Sequence, residues 1–375
     1  MTEIYLTIFF ISLLLFLLGS GVWVGLSMIT VSAIGMLLFT TRPVGDAMAT
    51  TIWGTSSSWT LTALPLFVWM GEILFRTKLS ENLFKGLSPW LSKLPGGLVH
   101  VNVVGCALFA AISGSSAATV ATVGKMSIPE LRKRKYPEKL LLGSLAGSGT
   151  LGLLIPPSII LIIYGVTIED SIAKLFMAGI LPGIMIALMF MLYVILWSIL
   201  NKRLMPKSNE SFSFLEKIQG SKQLLPVIFL ITAVISSIYT GIATATEAAS
   251  LGVVGALILS FFQRTLNRKT FKLSLLGATK TSCMIAFILA GSTFLSLAMG
   301  FTGLPRNLAI WIDAMNLSPY TLLFVLTIFY IILGMFLDGI SAVVLTMAII
   351  EPMIRQAGFD MIWFGIYLVI VVEMA

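Results

Sequence analysis

The sequence predicts an all-α polytopic membrane protein built from two inverted repeats, with re-entrant helical hairpins and broken helices. Of the 375 residues, 58% are hydrophobic and only 11% are charged, whereas soluble domains carry about 25% charged residues. Apolar segments of about 20 residues, long enough to cross a bilayer, recur along the chain. Two glycine- and serine-rich stretches, residues 112–119 and 147–158, interrupt these segments. Broken helix is tolerated at membrane depth only where it is buried in protein or lines a wet cavity, so the interruptions predict a polar site.

The distribution of charge predicts the topology. Of 24 Lys and Arg residues, 20 fall in four loops. The basic loops cover residues 76–93, 125–139, 202–222 and 264–280. Such loops mark the cytoplasmic side of a membrane protein, so the net charge of +8 does not indicate a nucleic-acid partner. The intervening loops are poor in Lys and Arg and are expected outside: residues 41–58, 167–171, 239–246 and 302–319.

The first half begins with apolar residues 4–18 and 22–39, which predict two short spans or one interrupted span. Residues 41–58 predict a polar outer loop, and residues 59–75 an inward span. Glu72, near the inner end of that span, is expected to be a boundary carboxylate beside Arg76 and Lys78 rather than a coupling group. The amphipathic stretch that follows, residues 79–94, predicts a helix lying in the membrane interface.

A hairpin and a broken helix follow. Residues 97–112 enter the membrane, residues 116–128 leave it, and both flanks are basic. This pattern predicts a re-entrant hairpin, residues 97–128, that enters from the cytoplasm and has its tip at Ser113–Ser116. Residues 139–164 predict an outward span that is broken by the glycine-rich run and by Pro156-Pro157, because glycine and proline are poor helix formers.

The rest of the chain predicts a similar series of elements. Further membrane helices are expected at residues 172–200, 224–238, 247–262, 282–299, 321–336, 342–352 and 361–375. A long polar loop, residues 201–223, separates the halves. Thr244 and Glu247 have the spacing of a capping box at a helix start. The next break is at Asp338-Gly339-Ile340-Ser341.

The two halves are related by an offset of 223 residues, which pairs Pro129 with Pro352 and Arg132 with Arg355. The same offset places the first hairpin over a second one, residues 320–351. Basic loops flank the first hairpin but not the second, so the two are expected to have opposite orientations. Inverted repeats with discontinuous helices are the architecture of many secondary transporters, whose sites lie near the bilayer midplane.

The hydroxyls and free backbone groups at the breaks predict an ion site. Helix N-termini favour anions and C-termini favour cations. A hard cation such as Na⁺ needs only oxygen ligands, which Ser, Thr and backbone carbonyls supply; the alternative is close helix packing through small residues. The expected sodium ligands are Ser113, Gly114, Ser115, Gly147, Gly149, Thr150, Asp338, Gly339 and Ser341.

Asp338 is the clearest intramembrane acid, and charge at membrane depth is usually functional. The alternative is that Asp338 caps the helix that begins at Gly339. Hairpin arms of about 15 residues reach roughly 22 Å, and the hydrocarbon core is about 30 Å thick. The tips Ser113–Ser116 and Phe336–Gly339 are therefore expected to meet at mid-depth, with the Cα atoms of Ser115 and Asp338 within about 20 Å, or two helix diameters.

Several other chemistries are disfavoured by the sequence. Residues 147–152 match G-x-G-x-x-G, but a dinucleotide site needs a strand and a βαβ unit. No P-loop motif occurs. His100 is the only histidine, which leaves no Ser/His pair and no histidine metal site, and Cys106 and Cys283 suggest no disulfide framework. We expect no enzymatic activity and no cofactor.

Together these residues resemble the large membrane subunit of tripartite ATP-independent periplasmic (TRAP) transporters. The likeness rests on residues 112–119, 147–158, 178–183, 241–249 and 333–352. The resemblance implies a sodium-coupled importer of an organic acid anion in the bacterial inner membrane, with an elevator mechanism. It also implies two partners: a small four-helix membrane subunit and a periplasmic binding protein that delivers the substrate.

The resemblance further implies a division of the chain. Residues 1–58 and 165–240 would supply scaffold helices and connecting loops, and residues 59–164 and 241–375 the two repeats. The expected substrate contacts are Ser116, Thr119, Pro156, Pro157 and Ser158. In this family the second broken helix continues into a Thr-Pro-Pro-type break, whereas the 223 offset pairs Ala375 with Gly152. We therefore expect the sequence to be a fragment with an incomplete second half-site.

Two alternative functions remain open at this point. One is a divalent anion/sodium symporter, which would need no binding protein. The other is a passive ion channel, although inverted hairpins favour alternating access over the ring-like filters of channels. Dependence on a binding protein and accumulation against a gradient would separate these possibilities.

Overall fold

The structure, a computed structural model, describes residues 2–77, 79–206, 213–222, 224–303, 318–335 and 337–374. Within these ranges the regular elements are all helical, with no strand. Among the described helices, four are long and apolar enough to cross a membrane, or up to seven if bent pairs are counted as single spans. The predicted all-α polytopic class is confirmed. Residues 304–317 of the predicted outer loop and Phe336 of the second tip lie outside the described residues.

The helices of the first half are confirmed at most predicted positions. They are α1 Thr2–Gly19, α2 Val24–Phe39, α3 Val44–Ser56, α4 Ala63–Phe75, α5 Leu79–Leu91, α6 His100–Ser113, α7 Ser116–Lys133, α8 Glu138–Gly149, α9 Leu151–Leu154 and α10 Ile159–Thr167. The N-terminal apolar region thus forms two helices rather than one. Short 3-10 turns at Thr60–Thr62 and Gly97–Val99 precede α4 and α6.

The rest of the chain continues in the same way after the predicted outer turn. Its helices are α11 Ile172–Leu200, α12 Phe214–Ser221, α13 Leu225–Tyr239, α14 Ala245–Phe262, α15 Arg268–Thr302, α16 Pro319–Gly334, α17 Gly339–Gln356 and α18 Met361–Met374. The capping box predicted at the start of α14 is confirmed, since the Thr244 amide donates to the Glu247 carboxylate at 2.8 Å. A further 3-10 turn, Lys202–Leu204, follows α11.

The prediction of a polar outer loop at residues 41–58 is wrong, because α3 occupies most of it. Pro43 precedes the helix and Asp46 lies in its first turn. Proline is tolerated where amide donors have no intrahelical partner anyway, and an acidic residue there interacts favourably with the helix dipole. None of the α3 residues is buried, although Val44, Ala47 and Met48 pack in part against an apolar cluster.

Two predicted basic loops also contain helix. In residues 201–223, α12 begins after Ser213, whose amide donates to Glu216 at 2.8 Å in a capping box. In residues 264–280, α15 begins after Asn267, whose side-chain oxygen accepts from the Thr270 amide at 2.8 Å. Both helix starts carry recognisable capping residues, and the density of lysines around them suggested loops instead.

The structure divides into two compact units. One comprises residues Met1–Thr62, Ile162–Ser171 and Thr281–Ala375, and the other Ala63–Leu161 and Ile172–Lys280. The boundaries fall inside α10 and α15. The functional division predicted from the sequence remains a prediction, as does the meeting of the two hairpin tips.

In the unit that contains the first hairpin, α6 and α7 pack against each other and against α8 and α9. Asn102 on α6 donates to Ser144 on α8 at 3.0 Å, a buried polar link between these helices. At the base of the hairpin a buried apolar cluster includes Leu98, Leu131 and Leu140. Such packing fixes the hairpin on α8, so the position of its tip is determined.

In the other unit, small residues bring helices close together, as expected in membranes. A Cβ atom on Gly291 of α15 would lie 2.7 Å from the carbonyl oxygen of Gly25 on α2. The second hairpin, α16 and α17, packs against α18. Tyr164 donates to the carbonyl of Met361 at 2.6 Å, which joins the end of α10 to the start of α18.

Some of the helix bounds agree with the internal repeat predicted from the sequence. Adding 223 to the bounds of α7 gives those of α17, and both helices have 18 residues. The same offset relates the N-cap residues Ser115 and Asp338 and the first residues of α8 and α18, Glu138 and Met361. The opposite membrane orientation of the two copies remains a prediction from charge.

Candidate functional site

The tip of the first hairpin is a tight break between two helices. Helix α6 ends at Ser113, Gly114 follows with φ 57°, and Ser115 is extended and caps α7. Glycine is the usual residue for a left-handed position after a helix, because it has no Cβ atom to clash. The Ser115 hydroxyl accepts from the Ala118 amide at a long 3.5 Å. The predicted tip is therefore confirmed.

Hydroxyl groups bridge the two sides of this tip. The Ser113 and Thr119 hydroxyl oxygens lie 2.9 Å apart, and the Thr119 hydroxyl donates to the carbonyl oxygen of Ser115 at 2.8 Å. Thr119 is fully buried, whereas Ser113, Ser115 and Ser116 are half-buried. The tip is thus held in one conformation by its own side chains, with three hydroxyl residues near its surface.

The facing break lies between α8 and α10. Helix α9 ends at Leu154, residues 155–158 are not helical, and Pro156-Pro157 is a cis peptide. Proline disfavours the helical conformation of the residue before it, so two consecutive prolines end the helix. The buried Ser158 hydroxyl donates to the carbonyl of Leu153 and accepts from the Leu161 amide at 3.4 Å. Ser158 therefore holds the broken ends in position and caps α10.

Glycines bring the two breaks into contact. A Cβ atom on Gly152 would lie 2.8 Å from the backbone of Ser115 and Ser116. A Cβ atom on Gly114 would lie 2.9 Å from the carbonyl oxygen of Pro157. Since the neighbours are backbone atoms, no rotamer change could make room for a side chain. The structure thus brings the predicted residues of the two breaks together within one unit.

One residue of this site was missed by the sequence interpretation. A Cβ atom on Gly71 of α4 would lie 2.9 Å from the carbonyl oxygen of Ile112 and 3.2 Å from the Cα atom of Ser113. Gly71 therefore lets α4 support the hairpin tip from a second side. In the sequence, Met70-Gly71 occurs again as Met299-Gly300 at an offset of 229. This repetition points to the internal repeat but does not predict the contact of Gly71 with the hairpin tip.

The arrangement places several helix ends in one small region. The C-terminal carbonyls of α6 and α9 lack intrahelical partners and carry partial negative charge, while the N-terminal amides of α7 and α10 carry partial positive charge. The Thr150 hydroxyl donates to the carbonyl of Gly147 at 2.8 Å. Gly149 packs against Val120 of the hairpin. Such a region has oxygens for a cation and amides for an anion.

At the second break, Asp338 caps α17. Its carboxylate accepts from the Ser341 amide at 3.2 Å and from the Ser341 hydroxyl at 2.6 Å. The capping role is confirmed, and Gly339 is the first residue of the helix. Ser341 is buried and Asp338 exposed. Whether the carboxylate also binds a cation stays a prediction.

Other candidate residues have local structural roles. His100 is buried, and its Nε2 atom lies 2.8 Å from the carbonyl oxygen of Pro95. Glu72 forms an ion pair with Arg76 at 2.8 Å, as predicted. In the part of the chain that the structure describes, no cluster of three or more His, Cys, Asp or Glu side chains could hold a metal ion. A cation in this unit would need hydroxyl and carbonyl ligands.

Comparison with known proteins identifies the family. Residues 10–375 match the family profile described as tripartite ATP-independent periplasmic transporter, DctM component. The chain belongs to this family. It is thus the large membrane subunit of a TRAP transporter, a secondary transporter of organic acids that works with a periplasmic binding protein and a small membrane subunit.

Curated relatives agree with this assignment. The C4-dicarboxylate TRAP large permease DctM of Pseudomonas aeruginosa is 32% identical over 91% of this chain and 79% of its own length. The sialic acid TRAP large permease SiaM of Vibrio cholerae is 31% identical, over 93% and 81%. The 2,3-diketo-L-gulonate TRAP large permease YiaN of Escherichia coli is 31% identical, over 86% and 76%. These TRAP relatives are permeases rather than enzymes, and they are described with different organic acids.

Proposed function

We propose that this TRAP subunit couples inward sodium movement to the import of an organic acid anion, which a periplasmic binding protein delivers at the bacterial inner membrane. The observation that carries the proposal is the contact of the hairpin tip with the broken helix α8–α10, through Gly152 and Gly114. Broken helices that present their ends to one another are the usual site of substrate and coupling ions in inverted-repeat carriers. The relatives' organic acids support an anionic substrate.

The sodium ligands in this proposal are oxygens at the breaks. In the first hairpin they belong to Ser113, Gly114 and Ser115, and in the facing helix to Gly147, Gly149 and Thr150. In the second repeat they belong to Asp338, Gly339 and Ser341. Sodium requires only oxygen donors at fixed positions, and the hydrogen bonds of Ser113, Thr150 and Asp338 hold their side chains in place.

The anion would be bound chiefly by helix N-termini. Of the residues expected to contact substrate, Thr119 and Ser158 are buried, and their hydroxyls already bond to backbone groups. They would act by holding the breaks in shape, together with Pro156 and Pro157. Ser116, the first residue of α7, is half-buried and would offer its amide, where the helix dipole favours negative charge.

We further propose an elevator mechanism, in which the two hairpins and the two broken helices carry the site across the membrane while the remaining helices serve as scaffold together with a small four-helix subunit. The repeated bounds of α7 and α17 support two hairpins of equal design. Alternating access in inverted-repeat carriers is largely a rigid-body motion of one part against the other.

The proposed function is tested by uptake of a labelled organic acid into proteoliposomes that contain the complete transporter. We expect accumulation against a gradient only when an inward sodium gradient and the binding protein are both present. Uptake that needs sodium but not the binding protein would indicate a simple symporter instead. Equilibration without accumulation would indicate a channel, and uptake driven equally well without sodium would reject the coupling ion.

The hydroxyls of the first site give a sharper test. We expect Ser115→Ala and Thr150→Val each to raise the sodium concentration for half-maximal uptake by about tenfold, the lower end for lost metal-site groups. The control is Thr279→Val, since the exposed Thr279 hydroxyl also bonds its own helix at 2.8 Å. Lower uptake in proportion to lower protein amount, with unchanged sodium dependence, would show that these residues serve packing alone.

A further inference from the structure

Helices α5 and α12 pack against each other, and Trp90 of α5 makes contacts that join the two helices. The indole nitrogen of Trp90 donates to the Ser221 hydroxyl at 2.8 Å. The Phe214 ring meets the Trp90 ring edge-on, with centroids 6.4 Å apart, and the Lys217 ammonium lies 5.3 Å from the Trp90 centroid. These contacts join two basic segments that are 131 residues apart in the chain.

Glycines let the two helices approach closely. A Cβ atom on Gly220 would lie 3.3 Å from the carbonyl oxygen of Lys85. A Cβ atom on Gly86 would lie 2.7 Å from the Leu224 side chain, which follows α12. With backbone so near backbone, the pair is one rigid element rather than two independent helices. The exposed side chains of both helices therefore belong to a single surface.

That surface is strongly apolar where it faces away from the protein. Phe214 is 69% exposed and Leu215 65% exposed, and Ile218 lies one turn further along the same face of α12. Trp90 of α5 is 45% exposed beside them. Large apolar side chains clustered on a surface mark a contact with a membrane or a partner.

Cations accompany these apolar groups. Lys85, Lys93 and Lys222 are exposed, and among the side chains that the structure describes, none of them forms an ion pair. Helices with aromatic and aliphatic residues on one face and lysines beside them bind in the plane of a lipid surface. The cytoplasmic leaflet is negatively charged, which complements unpaired lysines.

We propose that α5 and α12 form a membrane-surface platform that binds anionic phospholipid headgroups of the cytoplasmic leaflet. Phe214, Leu215 and Ile218 insert at the level of the headgroups, and Lys85 and Lys222 bind lipid phosphates. Trp90 lies between them and holds the two helices together. This role is independent of the transported ion, because none of the residues proposed as sodium ligands lies on α5 or α12.

The test uses the complete transporter in proteoliposomes with an environment-sensitive fluorophore on Leu215→Cys. The exposed Cys283 is replaced by serine, and Cys106 is buried. Brominated phosphatidylglycerol or brominated phosphatidylcholine serves as a quencher. We expect quenching by both lipids, with the anionic lipid effective at a several-fold lower mole fraction, and we expect salt to reduce this difference because it screens surface charges.

Charge variants identify the source of the preference. Lys85→Gln with Lys222→Gln should remove most of the several-fold preference for phosphatidylglycerol, because each lysine near an anionic surface contributes up to roughly fivefold. Lys269→Gln with Lys272→Gln removes the same charge from exposed positions on α15 and should change nothing. Equal quenching by the two lipids in the parent protein would overturn the anionic preference. Absence of quenching by either would overturn the membrane platform and favour a protein partner.

Discussion

Gly152→Ala is expected to reduce organic acid uptake about tenfold. The added Cβ atom would lie 2.8 Å from backbone atoms of Ser115 and Ser116, so the hairpin tip must move away from α9. Overpacking of this kind costs about 1–3 kcal/mol, and a loss of about 1.4 kcal/mol in site formation corresponds to tenfold. The measurement is the initial rate of uptake and its sodium dependence, with the amount of folded protein determined in parallel.

Two matched substitutions control for effects on helix stability and general crowding. Gly143→Ala lies on α8 with no atom within 4 Å of the new Cβ and should keep full activity with slightly higher stability, because alanine favours helix by about 1 kcal/mol. Gly255→Ala meets the flexible end of the Leu230 side chain instead of backbone, and should affect uptake less. If the Gly152→Ala protein took up organic acid as fast as the Gly143→Ala protein, close contact between the two breaks would not be required for transport.

The helix breaks could be predicted from the sequence because their causes are local. The serines and glycine at residues 113–116 and the consecutive prolines Pro156-Pro157 are poor helix formers, so both stretches could be predicted as breaks without knowledge of the fold. The repeat could also be predicted in part, since the 223 offset relates the first residues of α7 and α17, Ser116 and Gly339. The contact between the two breaks could not be predicted from the local sequence. It depends on Gly152 and Gly71, whose neighbours are decided by tertiary packing.

The roles of individual hydroxyls were harder to predict than their positions. Ser115 and Ser158 look alike in sequence, each beside a glycine or proline break. The Ser158 hydroxyl is buried and bonded to Leu153 and Leu161, while the half-buried Ser115 hydroxyl has one long bond. Which hydroxyl is free for a ligand depends on backbone groups brought near by folding. The starts of α12 and α15 were missed for the opposite reason: Ser213 and Asn267 are local capping signals, and the surrounding polar and basic residues suggested loops.

The largest effect in the second repeat is expected at Asp338. Its carboxylate caps α17 through the amide and hydroxyl of Ser341, and asparagine is about as good an N-cap as aspartate. Asp338→Asn therefore keeps an oxygen that can accept from the Ser341 amide, and it removes the charge and the second acceptor oxygen, so the Ser341 hydroxyl must turn to accept from the new amide group. If the carboxylate binds sodium, as we propose, this variant should raise the sodium concentration for half-maximal uptake about 10–100-fold, the range for lost metal-site groups. Thermal stability should stay close to that of the parent protein.

Asp338→Ala removes both the charge and the cap, so its comparison with Asp338→Asn separates the two contributions. It should show the same sodium defect as Asp338→Asn, with an additional loss of stability of about 1 kcal/mol from the missing cap. Ser318→Ala is the matched control, since Ser318 caps α16 by accepting from the Thr321 amide at 3.2 Å at the opposite end of that helix from the break. It should lower stability by a similar amount and leave sodium dependence unchanged. Normal sodium dependence in Asp338→Asn would leave the carboxylate with the role of a helix cap alone, because asparagine keeps one oxygen for the Ser341 amide but carries no charge to bind a cation.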